Sequence, residues 1–364
     1  MRTVVLGGYG NFGARISRAL AGNPGIELTI AGRDLAKARE LARFCDAQAA
    51  AIDAGAPDLE AVLRGAGTQL VIHTAGPFQE QGYGVARAAA AAGAHYIDLA
   101  DGRRFVCDFP AALDSTFREQ ARVAISGAST VPALSSAVID HLSAGWRQVL
   151  EIDMCIGPAQ TAPRGAATMA AVLSYAGAPI QVWRDGRWHT EHGWSNPRPV
   201  TFARLRPRLS SLCDIPDLEL FPAHYGGVKT VQFGAALELA VSQHGMSAIA
   251  RLCRSGILKR PEKLARLMNR AAGLLDPLGS ALGGMVVRIQ GIDAHGATRR
   301  REWHIAADHD HGPEIPCMAA ILLARKLAAG GLPMHGAYTS TSLLTLAEFA
   351  PEFAKWGMEC DIGA

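Results

Sequence analysis

The chain lacks most of the signatures that assign a sequence quickly. No apolar run reaches the roughly 18–20 residues needed to span a bilayer. The opening "MRTVVLGGYG" goes straight into a strand-like stretch, with no room for the charged and apolar regions of a secretory leader. Its seven cysteines (Cys45, Cys107, Cys155, Cys213, Cys253, Cys317, Cys360) never form C-x-x-C, which suits reduced thiols better than a disulfide framework or a zinc finger. The formal charge of +3 comes without a basic arm, so no nucleic-acid partner is implied. There is no G-x-S-x-G elbow and no phosphate-loop lysine motif, which removes support for hydrolase and kinase chemistry. Internal repeats and low-complexity tails are also missing. These absences leave the expectation of a cytoplasmic globular protein. Its 364 residues suit two domains.

Glycine, in contrast, is crowded in one place. Val5 to Gly13 read "VLGGYGNFG", four glycines in nine residues, directly after the first apolar run. Glycine costs backbone entropy, so the crowding needs a cause. Gly8, Gly10 and Gly13 fit G-x-G-x-x-G between an expected strand and an expected helix, the context that turns a weak pattern into a dinucleotide-binding signal. In that pattern the first glycine permits the turn. The second lets a pyrophosphate approach the backbone, and the third lets helix and strand pack closely. Tyr9, Asn11 and Phe12 fill the remaining loop positions, and the helix N-terminus offers N–H groups to the phosphates.

The first third continues as short apolar runs alternating with alanine-rich helical stretches: "ELTIAG", "AAAID", "QLVIHTAG", "HYIDLAD" and "RVAISGAS" read as strands. Helices are expected over 11–22, from Asp34 through "LAKARELARF", over 57–65, in "YGVARAAAAAG" and over 110–119. This alternation calls for a doubly wound parallel sheet of Rossmann type over residues 1–130. After about Ala144, "LEIDMCIG" and two hairpins, turning at Asp185-Gly186 and near His295-Gly296, predict a second α+β domain with a mainly antiparallel sheet over 131–311. Helical patterns in 312–364 are expected to pack back on the first domain.

Which dinucleotide fits is decided at the end of the second strand. NAD-binding domains place an acid about 20 residues past the glycines, on the adenosine ribose. Here "TIAGRD" puts Ala31 and Gly32 in those positions, with Arg33 next. A guanidinium can pair with a 2′-phosphate and stack on adenine, and Lys37 adds a second cation. Asp34 is accounted for as a helix cap. NADP(H) is therefore expected over NAD(H). Asp53 ends the third strand, within reach of an adenine amine or simply solvated. Ala75, Gly76, Pro77 and Phe78 end the fourth strand, where the crevice of such a sheet lies.

Asp98 and Asp101, at the end of the fifth strand, are candidates to hold a substrate ammonium or pass a proton, with capping or a loop position as the competing account. Ser129, Thr130 and Arg164 are candidate substrate contacts; helix capping and solvated roles explain them equally well. His304, His309 and His311 in "HIAADHDHG" invite a metal reading, but one H-x-H does not supply converging ligands, and no metal is expected. Between residues 251 and 270, Arg251, Arg254, Lys259, Arg260, Lys263, Arg266 and Arg270 sit among apolar residues. A solvated helix face is the simpler reading, and peripheral contact with an anionic membrane the alternative.

Together "GGYGNFG", "AGRD", "TAGPFQEQGYGVARAAAAAGAHYIDLADG" and "ISGASTVPALSS" resemble the saccharopine dehydrogenase-like, NADP-binding oxidoreductases, closely over the first 140 residues or so. The resemblance implies a Rossmann domain followed by a mixed domain with catalysis in the cleft between them. It also implies hydride transfer to or from a C=N or C=O group of a small, amino-acid- or amine-like substrate. One departure is Ala100-Asp101-Gly102, where the family often carries a Gly-Glu pair. The competing expectation is an NADP-sensing regulatory protein without turnover. Expected partners are a small-molecule substrate and, as an option, a second copy in a homodimer.

Overall fold

The computed structural model describes residues 1–79, 81–163 and 165–363. In chain order, β1 (Arg2–Leu6) leads through the glycine loop to α1 (Asn11–Leu20), β2 (Glu27–Gly32) to α2 (Leu35–Cys45) and β3 (Gln48–Ala51) to α3 (Leu59–Gly65). Then β4 (Leu70–His73) leads to α4 (Gly84–Ala91), β5 (His95–Asp98) to α5 (Arg103–Glu119), and β6 (Val123–Ser126) to a short turn at Thr130–Leu134 and α6 (Ser135–Leu142). The middle of the chain holds β7 (Gln148–Gly157), α7 (Ala166–Ser174), β8 (Pro179–Arg184), β9 (Arg187–His192), β10 (Arg198–Val200) and β11 (Arg208–Leu212). It continues with α8 (Asp217–His224), β12 (Thr230–Ala235), α9 (Ala240–Arg254) and α10 (Ala265–Gly273). The long pair β13 (Gly283–Ile292) and β14 (Thr298–Ala307) precedes α11 (Ile315–Ala328), β15 (Gly336–Thr339), α12 (Leu346–Lys355) and β16 (Glu359–Gly363).

The first compact unit comprises Met1–Leu134 and Glu314–Leu344. Its seven strands are all parallel, in the order β15-β6-β5-β4-β1-β2-β3. Strands covered on both faces by helices need continuous apolar runs, and all four residues of β4 and of β6 are buried. The chain leaves β1 toward β2 and β3 on one side, and β4 to β6 on the other. That reversal puts the topological switch at the carboxyl ends of β1 and β4, where ligands of such sheets bind.

Helix α5 starts seven residues before Pro110, the expected first residue. Phe105, Phe109, Leu113 and Phe117 recur every four residues and are all buried, so one apolar stripe runs through the proline. Its burial offsets the backbone hydrogen bond that proline cannot make.

The second unit comprises Ser135–Pro313 and Thr345–Ala364. Its sheet runs β10-β11-β12-β7-β13-β14-β16, with the β8–β9 hairpin joined to β12. Among the described residues only β12 and β7 pair in parallel in this sheet, so it is mainly antiparallel, as expected. The β8–β9 turn has Asp185 and Gly186 both at positive φ, the requirement of the tight hairpin that Asp-Gly signals. Residues 345–363, expected with the first unit, lie in the second because β16 pairs with β14. Among the described residues no helix is long and apolar enough to cross a membrane.

Candidate cofactor and active site

The glycine loop joins β1 to α1 at the switch point of the parallel sheet. Gly7 takes the left-handed conformation (φ +76°), so the turn falls one residue before Gly8, where it was expected. Gly8 is small for another reason. A Cβ there would lie 2.8 Å from the Val5 carbonyl oxygen and 2.9 Å from the Ile30 Cγ2. Its N–H donates to the Ala31 carbonyl at 3.0 Å, tying the loop to β2.

Gly13 and Gly10 differ sharply. A Cβ on Gly13 would collide with the Gly7 carbonyl and lie 2.7 Å from Thr74 Oγ1. Protein packing alone therefore demands glycine at 13. At Gly10 a Cβ would meet only the Gly7 carbonyl oxygen, at 3.0 Å, and otherwise open space. Helix α1 begins there with no capping side chain and no acid in its first turn. A helix N-terminus left open in this way carries N–H groups and partial positive charge for an anion. Beside it, Arg15 Nη1 donates to the Asn11 carbonyl and Oδ1, each at 2.6 Å, and its Nε pairs with Glu314 at 2.8 Å.

At the end of β2 the ring of Tyr9 covers Gly32: a Cβ on Gly32 would stand 2.5 Å from Tyr9 Cε1. The Tyr9 hydroxyl accepts the Asp34 N–H at 2.8 Å. Position 32 thus has no room for the ribose-binding acid of NAD enzymes, and the next residue, Arg33, is exposed. Asp34 caps α2, its Oδ1 accepting from Ala36 N at 3.0 Å and Lys37 N at 3.2 Å. Lys37 Nζ lies 3.7 Å from Asp34 Oδ2, an exposed pair of little energetic weight. Asp53 is exposed and accepts from Gly55 N at 3.0 Å, the local turn that its loop position explains.

After β4, Gly76 and Pro77 are joined by a cis peptide bond and both are exposed, with Ala75 partly so. Gln81 braces this segment: its Nε2 donates to the Ala75 and Pro77 carbonyls, each at 2.8 Å. Phe78 turns inward instead. It is 5% exposed, with its ring centroid 5.0 Å from that of His73 and 5.3 Å from that of Phe105. Thr74 Oγ1 donates to the Leu6 carbonyl at 2.8 Å, linking the two strand ends.

Asp98 does not face a cleft. It is fully buried, and its Oδ1 accepts from Ala100 N, Ser126 Oγ and Gly127 N at 2.8–3.0 Å. Burial raises its pKa to about 6, against those hydrogen bonds, which favour the charged form. It fastens the ends of β5 and β6 together. Its neighbour in register on β4, His73, is buried too, with Nδ1 3.0 Å from the Tyr96 hydroxyl, and burial lowers its pKa to about 4. Asp101 is exposed and accepts from Gln79 Nε2 at 3.0 Å. Ser129 and Thr130 are buried at the start of the turn after β6. Arg164 lies outside the described residues.

Of the histidines of "HIAADHDHG", His304 is engaged apart from the other two, whose rings lie 6.1 Å from each other. His304 Nδ1 accepts from Ala203 N at 3.1 Å and its Nε2 lies 3.2 Å from Glu302. His311 Nδ1 lies 3.1 Å from the Trp356 carbonyl oxygen. No group of three potential ligands converges among the described residues.

A model of the saccharopine dehydrogenase NADP binding domain matches residues 3–131, the stretch that builds this loop, the β2 end and the β4 end. Residues 3–131 form an NADP-binding domain of the saccharopine dehydrogenase type. Among solved structures, the chain is similar to apo saccharopine dehydrogenase (L-Glu forming) from Saccharomyces cerevisiae, at 14% identity and TM-score 0.70, with all of both chains covered. It is also similar to homospermidine synthase from Legionella pneumophila in complex with NAD, at 8% identity and TM-score 0.63, covering 100% of this chain and 91% of that one. At such identities the likeness extends the shared fold beyond the NADP-binding domain to the whole chain. No curated protein matches.

Three residues that shape the candidate site were not marked in the sequence: Gly7, Thr74 and Gln81. Gly7 was visible as an extra glycine, but nothing in sequence says which of two adjacent glycines takes the left-handed turn. Thr74 and Gln81 flank "AGPF", and their roles rest on contacts with strand ends and carbonyls that no spacing encodes.

Proposed function

We propose that the chain is an NADP(H)-dependent oxidoreductase, moving hydride to or from a C=N or C=O group of a small amine- or amino-acid-like substrate. The observation that carries the reading is the pairing of an open Gly10 at the start of α1 with an exposed Arg33 next to a Gly32 that Tyr9 closes to any acid. The first supplies space and N–H groups for a pyrophosphate, and the second a cation for the 2′-phosphate. When bound, the nicotinamide supplies the hydride chemistry; the protein supplies position and a proton route.

In this reading Gly8, Tyr9, Gly10, Asn11, Phe12 and Gly13 form the phosphate loop, and Arg33 with Lys37 reads the 2′-phosphate. The Ala75–Pro77 backbone, held by Gln81, borders the nicotinamide side. Asp101, exposed near that segment, is the candidate to hold a substrate ammonium or exchange a proton; Ser129 and Thr130, buried after β6, are the further candidate substrate contacts. Asp98 acts through its neighbours, as a positioning residue for the β5 and β6 ends.

The test is a screen for NADPH oxidation with mixtures of 2-oxo acids and amines, with aldehydes and with enones, repeated with NADH. Turnover that prefers NADPH, and falls in Asp101→Asn, supports the reading. NADPH binding without turnover across the panel would overturn the enzymatic part and leave a cofactor sensor.

A further inference from the structure

Among the described residues, ten large apolar side chains stand exposed, and six of them fall between residues 241 and 278: Val241, Leu252, Ile257, Leu267, Leu274 and Leu278. A surface dotted with single apolar residues needs no explanation; six in one stretch does. The same stretch carries seven cations, from Arg251 to Arg270, against two carboxylates, Glu262 and Asp276. Asp276 is already engaged, its Oδ1 accepting from Gln160 Nε2 at 2.9 Å.

The helices show which way these groups face. Helix α9 turns Gln243, Met246, Ser247 and Ala250 inward, leaving Arg251, Leu252 and Arg254 on the outside. The outward face of α10 carries Leu267, 65% exposed, and Leu274, at its C-terminal cap two turns on, is 82% exposed. Arg266 and Arg270 fall beside them one turn apart, and Lys263 stands in the short 3-10 turn just before the helix, all three exposed. A merely solvated helix face would carry the cations without the leucines. Apolar and cationic groups presented side by side match the chemistry of a lipid headgroup layer, in which leucines enter the acyl boundary and cations meet phosphates.

We propose that α9, α10 and the turn between them form a docking face for an anionic bilayer surface. The helices lie in the interface and do not span it; α10 has nine residues. The inference is independent of the hydride-transfer reading, since no residue of the NADP-binding domain takes part.

The test is flotation of the full-length protein with phosphatidylcholine vesicles, with and without phosphatidylglycerol. The expected result is binding to the anionic vesicles only, weakened by salt. Lys263→Gln/Arg266→Gln/Arg270→Gln should cut the partition coefficient on the order of 100-fold, at about fivefold per cation. Leu267→Ser/Leu274→Ser should cut it at least about tenfold. Both variants change exposed positions, and unchanged circular dichroism and thermal midpoints would show that they fold. Failure of the wild type to bind anionic vesicles overturns the proposal, as does binding that neither variant weakens. A wild-type dimer that Leu267→Ser/Leu274→Ser splits, without vesicle binding, also overturns it and assigns the face to a second copy.

Discussion

The hydroxyl of Tyr9 accepts the backbone N–H of Asp34 at 2.8 Å, bridging the glycine loop to the residue that caps α2. That bond pins the ring over Gly32, where a Cβ would come within 2.5 Å of it. The loop proposed to receive the phosphates thereby also closes the position from which an acid would read the ribose.

The usual route to an NAD enzyme, an acid at the end of the second strand, should fail in this chain. Gly32→Asp would push against the Tyr9 ring, so it should weaken NADPH binding without improving NADH binding. Adding Tyr9→Ala to Gly32→Asp should restore space and raise NADH affinity at least about tenfold over the single variant, the ratio that one added hydrogen bond of about 1.4 kcal/mol produces. Titration calorimetry with both cofactors measures this. A gain in NADH affinity from Gly32→Asp alone would show that Tyr9 does not block the position.

Gly10 and Gly13 should separate binding from stability. Gly13→Ala places a methyl against the Gly7 carbonyl, backbone that cannot swing aside, and should cost about 1–3 kcal/mol in urea unfolding. Gly10→Val adds bulk on the open side, at an ordinary φ of −73°, and should change stability by less than about 1 kcal/mol while abolishing NADPH binding. Equal destabilisation by the two, or wild-type affinity in Gly10→Val, would contradict the assignment.

Much of the fold is legible in the sequence. Strands β1, β2 and β4 to β6 stand out because buried parallel strands are apolar runs, and the helices between them are punctuated by glycine, as Gly93 shows after α4; β3, "QAAA" at the sheet edge, is the weak one and has no buried residue. The Asp185-Gly186 turn was equally plain. Strands β10, β11 and β16 were not, since "RPV", "RLSSL" and "ECDIG" are short and polar; β10 and β16 are largely exposed, while β11 buries Arg208, Ser210 and Ser211, residues no apolar pattern marks. Asp98 was misplaced because a carboxylate at a strand end looks like a cleft residue. Its burial depends on Ser126 and Gly127, 28 and 29 residues away, and no local pattern announces them. The Tyr9–Gly32 contact is hidden for the same reason.

In the second unit, Asp217 gives a pH dependence that can be isolated. It is fully buried with Ser135 Oγ donating to its Oδ2 at 2.5 Å, and burial raises its pKa to about 7, from 3.8. A folded pKa above the unfolded one means stability that is complete below about pH 4 and is lost as pH rises toward 7. His73 and His95, lowered to about 4 by burial, work the other way between pH 4 and 6.5, so the wild-type curve alone mixes the two. Asp217→Asn removes one contribution. The stability of the variant relative to wild type should climb with pH between 4 and 7, by up to about 1.4 kcal/mol per unit, and level off above. A pH-independent difference would mean that Asp217 does not titrate in this window.

The central claim, that the first unit reads the 2′-phosphate of NADP(H) through Arg33, is tested most directly by dissociation constants of Arg33→Ala for NADPH and NADH at one fixed salt concentration. Charge-assisted hydrogen bonds contribute roughly 1.5–3 kcal/mol, so NADPH should bind on the order of 10- to 100-fold more weakly, with NADH nearly unchanged. Equal losses for both cofactors, or no loss for either, would contradict the account.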